Sequence, residues 1–406
     1  MNYDLIIIGG GAAGLFAAAN VPSGKRVLLL EKTDAVGQKL RITGSGQCNL
    51  TKAGDIKSFL TRYGANGKYL RPVLFPFSNQ ALMSWFEARG LPLVTRADGK
   101  VFPASLDSRD VVKLLLHLAE QRGVEVRLRA AVTDFTPLEG GGFALRTPSE
   151  RLLTRKVLVA TGGASYPHTG SDGGFFDCLD ALGLALVPRR PALAPIYVHG
   201  YPYGALSGIG FACCQVSLTS EEGAESAVSR GALLFTHRGF SGPVMLDHAR
   251  NAVQGMGLCI NYLPHTDFAA LRKALLAAVS GESRQIVTLL ETNPGLPRRF
   301  LEAVCVRAGL GAERKASQLS GQEVGRIAAL LTGDTYTLSG TGGYQAAMVT
   351  AGGVALEGVD LRTMKSRLYP DLSFAGEVLD VDGDTGGYNL QFAFSSAKSA
   401  VDGMEW

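Results

Sequence analysis

The sequence predicts an α/β protein with a doubly wound, mostly parallel sheet, and three stretches carry that expectation. Tyr3 to Ile8 is an apolar, β-branched run that passes directly into Gly9, Gly11 and Gly14. That G-x-G-x-x-G spacing describes a strand, a tight turn and a helix start. Arg26 to Glu31 (RVLLLE) is a second apolar strand, ending in an acid 17 residues beyond Gly14. Lys156 to Gly163 (KVLVATGG) is a third buried strand that again runs into glycines.

Each glycine of the first turn has its own task. Gly9 lets the chain reverse, Gly11 leaves no side chain between backbone and a pyrophosphate, and Gly14 lets the helix lie close to the strand. Phosphates then meet the helix N-terminus, where unpaired N–H groups and the helix dipole favour negative charge. Glu31 is placed to accept both hydroxyls of a ribose; this argues against a 2′-phosphate and leaves an adenosine dinucleotide, FAD or NAD. Ligands of a doubly wound sheet gather beyond the carboxyl ends of its strands, so Ala160, Thr161 and Gly162 are expected to face the same nucleotide.

Between Gly37 and Thr51, glycines and small polar residues replace periodicity, as in a loop whose backbone lies against a ligand. There Lys39 and Arg41 are placed to meet the pyrophosphate, and Gly46 to let the backbone approach. Helical spacing follows at Asn79 to Arg89 and Ser108 to Arg122, with short strands at Gly99 to Pro103 and Val124 to Leu128. Phe143 to Arg146 and Arg151 to Thr154 read as a small antiparallel meander. Ser165 to Gly170 is a loop in which Tyr166 and His168 are expected to line a substrate site.

Composition changes at Pro188 to Pro195, a domain crossing. Ile196 to Leu218 alternates like a sheet, Gly231 to Leu246 joins a strand to a helix through a Gly-Pro turn, and Leu258 to Leu263 is a strand. Helical patterns then occupy 267–279, 297–308 and 320–331. From Tyr344 the sheet signature returns, with a strand at Leu372 to Glu377 and a last helix opened by Gly386-Gly387. The expected organisation is one dinucleotide-binding domain in two parts, 1–189 and 345–406, around an insert, 190–344, with a sheet followed by a helical subdomain.

At 406 residues the chain exceeds one ordinary core. No apolar run reaches the roughly 18 residues of a membrane helix, and Met1 to Ile8 lacks the basic start of a signal peptide; the expected location is the cytoplasm, with no membrane partner. Six scattered cysteines lack C-x-x-C spacing and the six histidines show no H-E-x-x-H pair, so no metal is expected. There is no G-x-S-x-G elbow and no Walker A loop. Charge is uneven: 23 Lys+Arg against 16 Asp+Glu in 1–189, 13 against 11 in 190–344, and 4 against 9 in 345–406.

Four blocks resemble the BaiN- and RdsA-like NAD(P)/FAD-dependent oxidoreductases, a family that also includes an aminoacetone oxidase. They are DLIIIGGGAAGL from Asp4, GQKLRITGSGQCNLT from Gly37, LLFTHRGFSGP from Leu233 and FAGEVLDVDGDTGGYNLQFAFSSA from Phe374. The resemblance implies a two-dinucleotide-binding-fold (glutathione-reductase-like) FAD domain interrupted by a mixed sheet-plus-helix insert. It also implies that Ala13, Glu31, Lys32, Arg41, Ala160, Gly376, Glu377, Asn389 and Leu390 lie at FAD. In one place the chain departs from the family, whose glycine loop reads GGGRCN where this one reads GSGQCN: Gln47 stands for an arginine, removing a cation near flavin or substrate.

If Gly386-Gly387 starts a helix, its N–H groups are expected to face the flavin edge that becomes negative on reduction. The expected reaction is NAD(P)H-driven reduction of an activated C=C bond, with NAD(P)H a transient electron donor and Cys48 as proton donor to substrate. Two other activities within the resemblance are reduction of a uridine in ribosomal RNA and amine oxidation with oxygen as acceptor. RNA would use Arg298, Arg299, Arg307, Arg314 and Lys315, where 271–315 carries 8 basic against 4 acidic residues. A small-molecule substrate is favoured over RNA, because Phe300 is the only aromatic residue in that stretch able to stack a base.

Overall fold

A computed structural model describes residues 2–220, 223, 228–293, 295–311 and 313–406. The chain divides into two compact units, Met1–Ala192 with Tyr344–Trp406, and Leu193–Gly343. Among the described residues no helix is long and apolar enough to cross a membrane, and no cluster of side chains is arranged to hold a metal ion.

The first unit begins with β1 (Tyr3–Ile8), α1 (Ala12–Asn20), β2 (Val27–Leu30), a short α2 (Gln38–Ile42) and β3 (Thr51–Lys52). Its main sheet runs Val359–Asp360, Lys365–Ser366, Leu372–Phe374, Arg151–Val159, β1, β2, Glu125–Arg127. The five strands from Leu372–Phe374 to Glu125–Arg127 are parallel, and the C-terminal strand lies beside Arg151–Val159. Both ends of the chain therefore build one sheet.

Burial explains why these runs are strands: Leu5 to Ile7 and Val157 to Val159 have no accessible surface, as apolar strands covered on both faces require. In α1 the run Ala17-Ala18-Ala19 allows close packing, and Phe16 meets Trp85 at 4.5 Å and Phe394 of the last helix (Tyr388–Asp402) at 5.0 Å between ring centroids. Removing a wholly buried ring such as Phe16 costs about 3–5 kcal/mol.

Two elements differ from the sequence expectation. The second meander strand and the third buried strand are one nine-residue strand, Arg151–Val159. Its first half pairs antiparallel with Phe143–Arg146, and the rest runs parallel to β1. A strand that changes partner midway leaves no break in its own pattern. The stretch 37–51, expected to be loop, contains α2, held by Arg41 N–H donating to Gly37 O at 2.9 Å.

In the second unit six strands close into a barrel, in the order Ile196–Val198, Gly239–Ser241, Ser229–Phe235, Gly210–Thr219, Gly257–Asn261, Asp334–Thr341. The last arrives only after the helices Phe268–Val279, Ile286–Leu290, Arg298–Arg307 and Gly321–Thr332. The sequence reading placed the whole sheet before the helices. The returning strand leaves the sheet no open edge, which is the physical gain of closure.

Asp334 opens that strand, and its buried Oδ2 accepts from Tyr203 at 3.0 Å, Tyr262 at 3.2 Å, Arg307 at 2.7 Å and also from Tyr336. Arg307 is thus a strut between helix and barrel. Its Nη1, expected to meet RNA phosphate, is taken up by this carboxylate and by the Tyr203 and Tyr336 hydroxyls.

Candidate cofactor site

The first turn is built by contacts that only glycine permits. Gly9 has φ +102°, and a Cβ there would lie 2.5 Å from Ala160 O. A Cβ on Gly14 would lie 1.9 Å from Gly9 O, so the helix sits as close to the strand as backbone allows. At Gly11 a Cβ would meet nothing within 4 Å, so the open side of the turn faces free space.

Glu31, at the end of β2, is buried and already braces this turn. Its Oε2 accepts from Gly10 N at 2.8 Å, while Oε1 accepts from Thr33 N at 2.8 Å and Thr33 Oγ1 at 2.9 Å. A carboxylate has about four acceptor sites, so room remains for a ribose hydroxyl. Beside it Lys32 pairs with Asp172 at 2.6 Å, and a Cβ on Gly170 would come within 2.8 Å of Thr33 and 3.4 Å of Lys32. Gly10, Thr33 and Asp172 escaped the sequence reading; the middle glycine of GGG was the one available signal.

Lys39 was expected at the pyrophosphate and Glu377 at FAD, and the two bind each other. Lys39 Nζ lies 2.7 Å from Glu377 Oε2, and Oε1 accepts from Ser165 Oγ and Thr350 N at 2.9 Å each. The ion pair holds together α2, the 165–170 loop, the strand Val349–Val354 and the segment after Leu372–Phe374. No local spacing announces this, since Lys39 and Glu377 are 338 residues apart. Arg41 remains exposed, and its side chain makes no ion pair among the described residues.

The glycine loop is conformationally unusual. Gly44, Ser45, Gly46 and Cys48 all have positive φ, at 57°, 58°, 85° and 61°. For Ser45 and Cys48 that is a strained conformation, of a kind that concentrates at functional sites. Gly46 O accepts from Ser108 N at 2.9 Å, so the helix Ser108–Gln121 holds the loop. Cys48 itself has no accessible surface, and burial pushes its thiol up to about 12. The expected role as proton donor therefore has burial against it: the thiol packs in the core and would have to be uncovered before it could meet substrate.

Beyond Arg151–Val159, Gly162 turns with φ +73° between two hydroxyls, Thr161 Oγ1 and Ser171 Oγ, both buried and without a hydrogen-bond partner among the described residues. Ala160 is buried, and Tyr166 follows with φ 54°, stacked edge-on against exposed His168 at 5.8 Å. Burial raises the Tyr166 phenol above its ordinary range, which keeps it protonated.

At the C-terminal side a Cβ on Gly376 would lie 3.0 Å from the Ala13 methyl, so this segment closes directly over the start of α1. Gly387 begins the last helix at φ +97°, where a Cβ would strike Thr51 at 2.7 Å. The Asn49 carboxamide, turned to satisfy its neighbours, accepts from Gly387 N at 3.1 Å. Asn389 bonds both N and O of Gly383, at 2.7 and 2.9 Å, closing the loop before the helix, while Leu390 is half-buried. The Asn389 amide thus shapes the helix entrance.

A turn open at Gly11, an acid with spare acceptor sites, two unpartnered buried hydroxyls and a glycine-started helix fit a dinucleotide cofactor. The fold is that of a dinucleotide-binding protein of the two-part Rossmann type. The model of the HI0933-like protein Rossmann domain matches residues 3–403. The ribosomal RNA dihydrouridine synthase of Escherichia coli (strain K12) is 31% identical over 398 residues, 98% of this chain and 96% of that one. The 3-dehydro-bile acid delta(4,6)-reductase of Clostridium scindens is 28% identical over 402 residues, 96% of each chain. Among solved structures, the 3-ketosteroid-delta4-(5alpha)-dehydrogenase of Rhodococcus jostii RHA1 shares the fold with a TM-score of 0.50 at 17% identity, over 99% of this chain and 97% of that one. The chain belongs to the HI0933-like family of FAD-dependent oxidoreductases.

Proposed function

We propose that the protein uses NAD(P)H to reduce a C=C bond conjugated with a carbonyl in a small organic molecule. FAD, when bound, supplies hydride transfer between the two partners. The chain's own residues hold the dinucleotide at the Gly9–Gly14 turn, with Glu31 on the adenosine ribose and Thr161 and Ser171 as added hydroxyl donors. The N-terminus of the last helix favours negative charge near Gly387. Arg41 meets the pyrophosphate, and Lys39 with Glu377 positions the loops around it. With Cys48 sealed in the core, Tyr166 becomes the proton donor: its phenol stays neutral at neutral pH, and its left-handed backbone is the kind of strain found at reacting sites.

The observation that carries the small-molecule reading concerns the cations of the insert. Arg298 pairs with Glu291 and Glu302 at 2.9 and 3.1 Å, Arg314 with Glu323 at 3.4 Å, Arg299 donates to Ala205 O at 3.0 Å, and Arg307 is bound to Asp334. Phosphates would compete with these partners for guanidinium N–H groups, while exposed Lys315 stands outside these pairs. The RNA reading is favoured by a different observation, the full-length likeness to the Escherichia coli dihydrouridine synthase.

Anaerobic mixing of the purified protein with NADH or NADPH tests the electron source; bleaching of the flavin band is expected, and its absence with both donors would favour an amine oxidase. Deleting the gene and mapping dihydrouridine in ribosomal RNA tests the substrate. Loss of a dihydrouridine, restored by the wild-type gene, would replace the small-molecule reading with the RNA one.

A further inference from the structure

Between Ala35 and Phe86 the chain carries seven Lys and Arg residues and one acid, Asp55. Lys39 and Arg41 belong to the cofactor site. Four of the other five lie on two short 3₁₀ helices, Ile56–Arg62 and Gly64–Tyr69, and on the turn Arg71–Leu74 that follows. The two helices cross in backbone contact: a Cβ on Gly67 would lie 1.8 Å from Leu60 O. The crossing brings Lys68, next to Gly67, against the helix on which Lys57 stands one turn before Leu60, and residues three apart share a face in a 3₁₀ helix.

This segment is anchored to the entrance of the last helix. Tyr63 Oη donates to Tyr388 O at 2.8 Å, Asp384 N to Arg62 O at 2.8 Å, and the Asn66 amide to Asp380 Oδ2 at 2.9 Å. Nearby acids have partners of their own: Asp380 Oδ1 accepts from Gly352 N at 3.0 Å, Asp384 lies 3.7 Å from Arg62, and Asp55 caps its own helix by accepting from Lys57 N at 2.9 Å. Lys57, Lys68 and Arg71 are exposed, and their side chains make no ion pair among the described residues. Lys68 Nζ lies 4.9 Å from the centre of the Tyr69 ring, which is itself 49% exposed. The face therefore offers unpaired cations around an open aromatic ring, whereas Arg298 and Arg314 of the insert are paired with acids.

The sequence has one G-x-G-x-x-G, the Gly9–Gly14 turn, so a second dinucleotide has to be held by side chains. An unphosphorylated ribose is marked by an acid that accepts its diol, as Glu31 is placed to do, and a 2′-phosphate by cations. We propose that the face of Lys57, Lys68 and Arg71 binds the 2′-phosphoadenosine half of NADPH, with the adenine against Tyr69, and so makes NADPH rather than NADH the electron donor. The inference rests on the reductase reading for its need of a nicotinamide donor. A 2′-phosphate gains charge-assisted hydrogen bonds from these side chains that the ribose of NADH cannot make. Anchorage to the 380–388 loop sets the face beside the helix whose N-terminus that reading assigns to the cofactor.

The test titrates FAD-loaded protein with NADP⁺ and with NAD⁺ by calorimetry, which reads binding without hydride transfer. Wild type is expected to bind NADP⁺ at least tenfold more tightly. Lys68→Gln combined with Arg71→Gln should cut that preference to threefold or less with stoichiometric FAD and an unchanged urea midpoint, while the charge-keeping pair Lys68→Arg and Arg71→Lys should retain it. Arg298→Gln, which removes a paired cation of the insert, should leave it intact. No preference in wild type, an unchanged preference in the Gln pair, or an equal loss in Arg298→Gln each overturns the proposal. Binding of oligouridylate through Lys68 and Arg71 in a protein without NADP⁺ preference also overturns it and assigns the face to RNA. Failure of the reductase reading looks different: NADPH leaves the flavin unbleached while the NADP⁺ preference persists.

Discussion

Glu31→Ala separates a ligand contact from a structural brace. The carboxylate accepts three protein hydrogen bonds, from Gly10 N, Thr33 N and Thr33 Oγ1. Only some are lost outright. The Thr33 hydroxyl also lies 2.8 Å from Ala35 O and can turn to it, and the half-buried Thr33 N–H can find water. Gly10 N is buried and is left unpaired, at about 1–3 kcal/mol. Allowing up to about 1 kcal/mol for Thr33, the apoprotein should lose about 1–4 kcal/mol, read as a lower urea midpoint with an unchanged slope. FAD affinity should fall further, by at least tenfold, because a charged hydrogen bond to a ribose hydroxyl is worth about 1.5–3 kcal/mol. Fluorescence titration of apoprotein with FAD measures the second effect. An apoprotein of unchanged stability would refute the bracing role, and an unchanged FAD dissociation constant would refute the ribose contact.

Gly11→Val should give folded but colourless protein, since its side chain would fill the open face of the turn; retained stoichiometric FAD in the absorbance spectrum would remove the first turn from the cofactor site. Cys48 should resist iodoacetamide in native protein at pH 8 and react only after unfolding, because its thiol is buried and pushed up to about 12; rapid native labelling, located by mass spectrometry, would show that the loop opens. Burial lowers the pKa of His248, whose Nε2 has no hydrogen-bond partner among the described residues. Its folded value thus lies below the unfolded one, so this group contributes stability above the unfolded value near 6.5 and loses it as pH falls toward the folded value. His248→Gln should flatten the decline in unfolding midpoint between pH 7 and 5, and an identical slope in the variant would assign that decline to other groups.

Local chemistry determined much of this protein. Glycine has no substitute where a Cβ would sit 1.9 Å from a carbonyl, as at Gly14, so the first turn, its strand and its helix could be read directly. The same holds for apolar strands buried on both faces and for the last helix behind Gly386-Gly387, whose patterns arise within a few residues. Tertiary structure decided whatever joins distant segments. It paired Lys39 with Glu377 across 338 positions, changed the partner of Arg151–Val159 midway along one strand, and brought Asp334–Thr341 back to close the barrel. It also sealed Cys48 in the core and set Arg62 beside Asp384. Neither outcome has a sequence signature, because burial and charge proximity depend on which surfaces the completed sheets cover, and that is settled only when strands far apart in the chain are packed together.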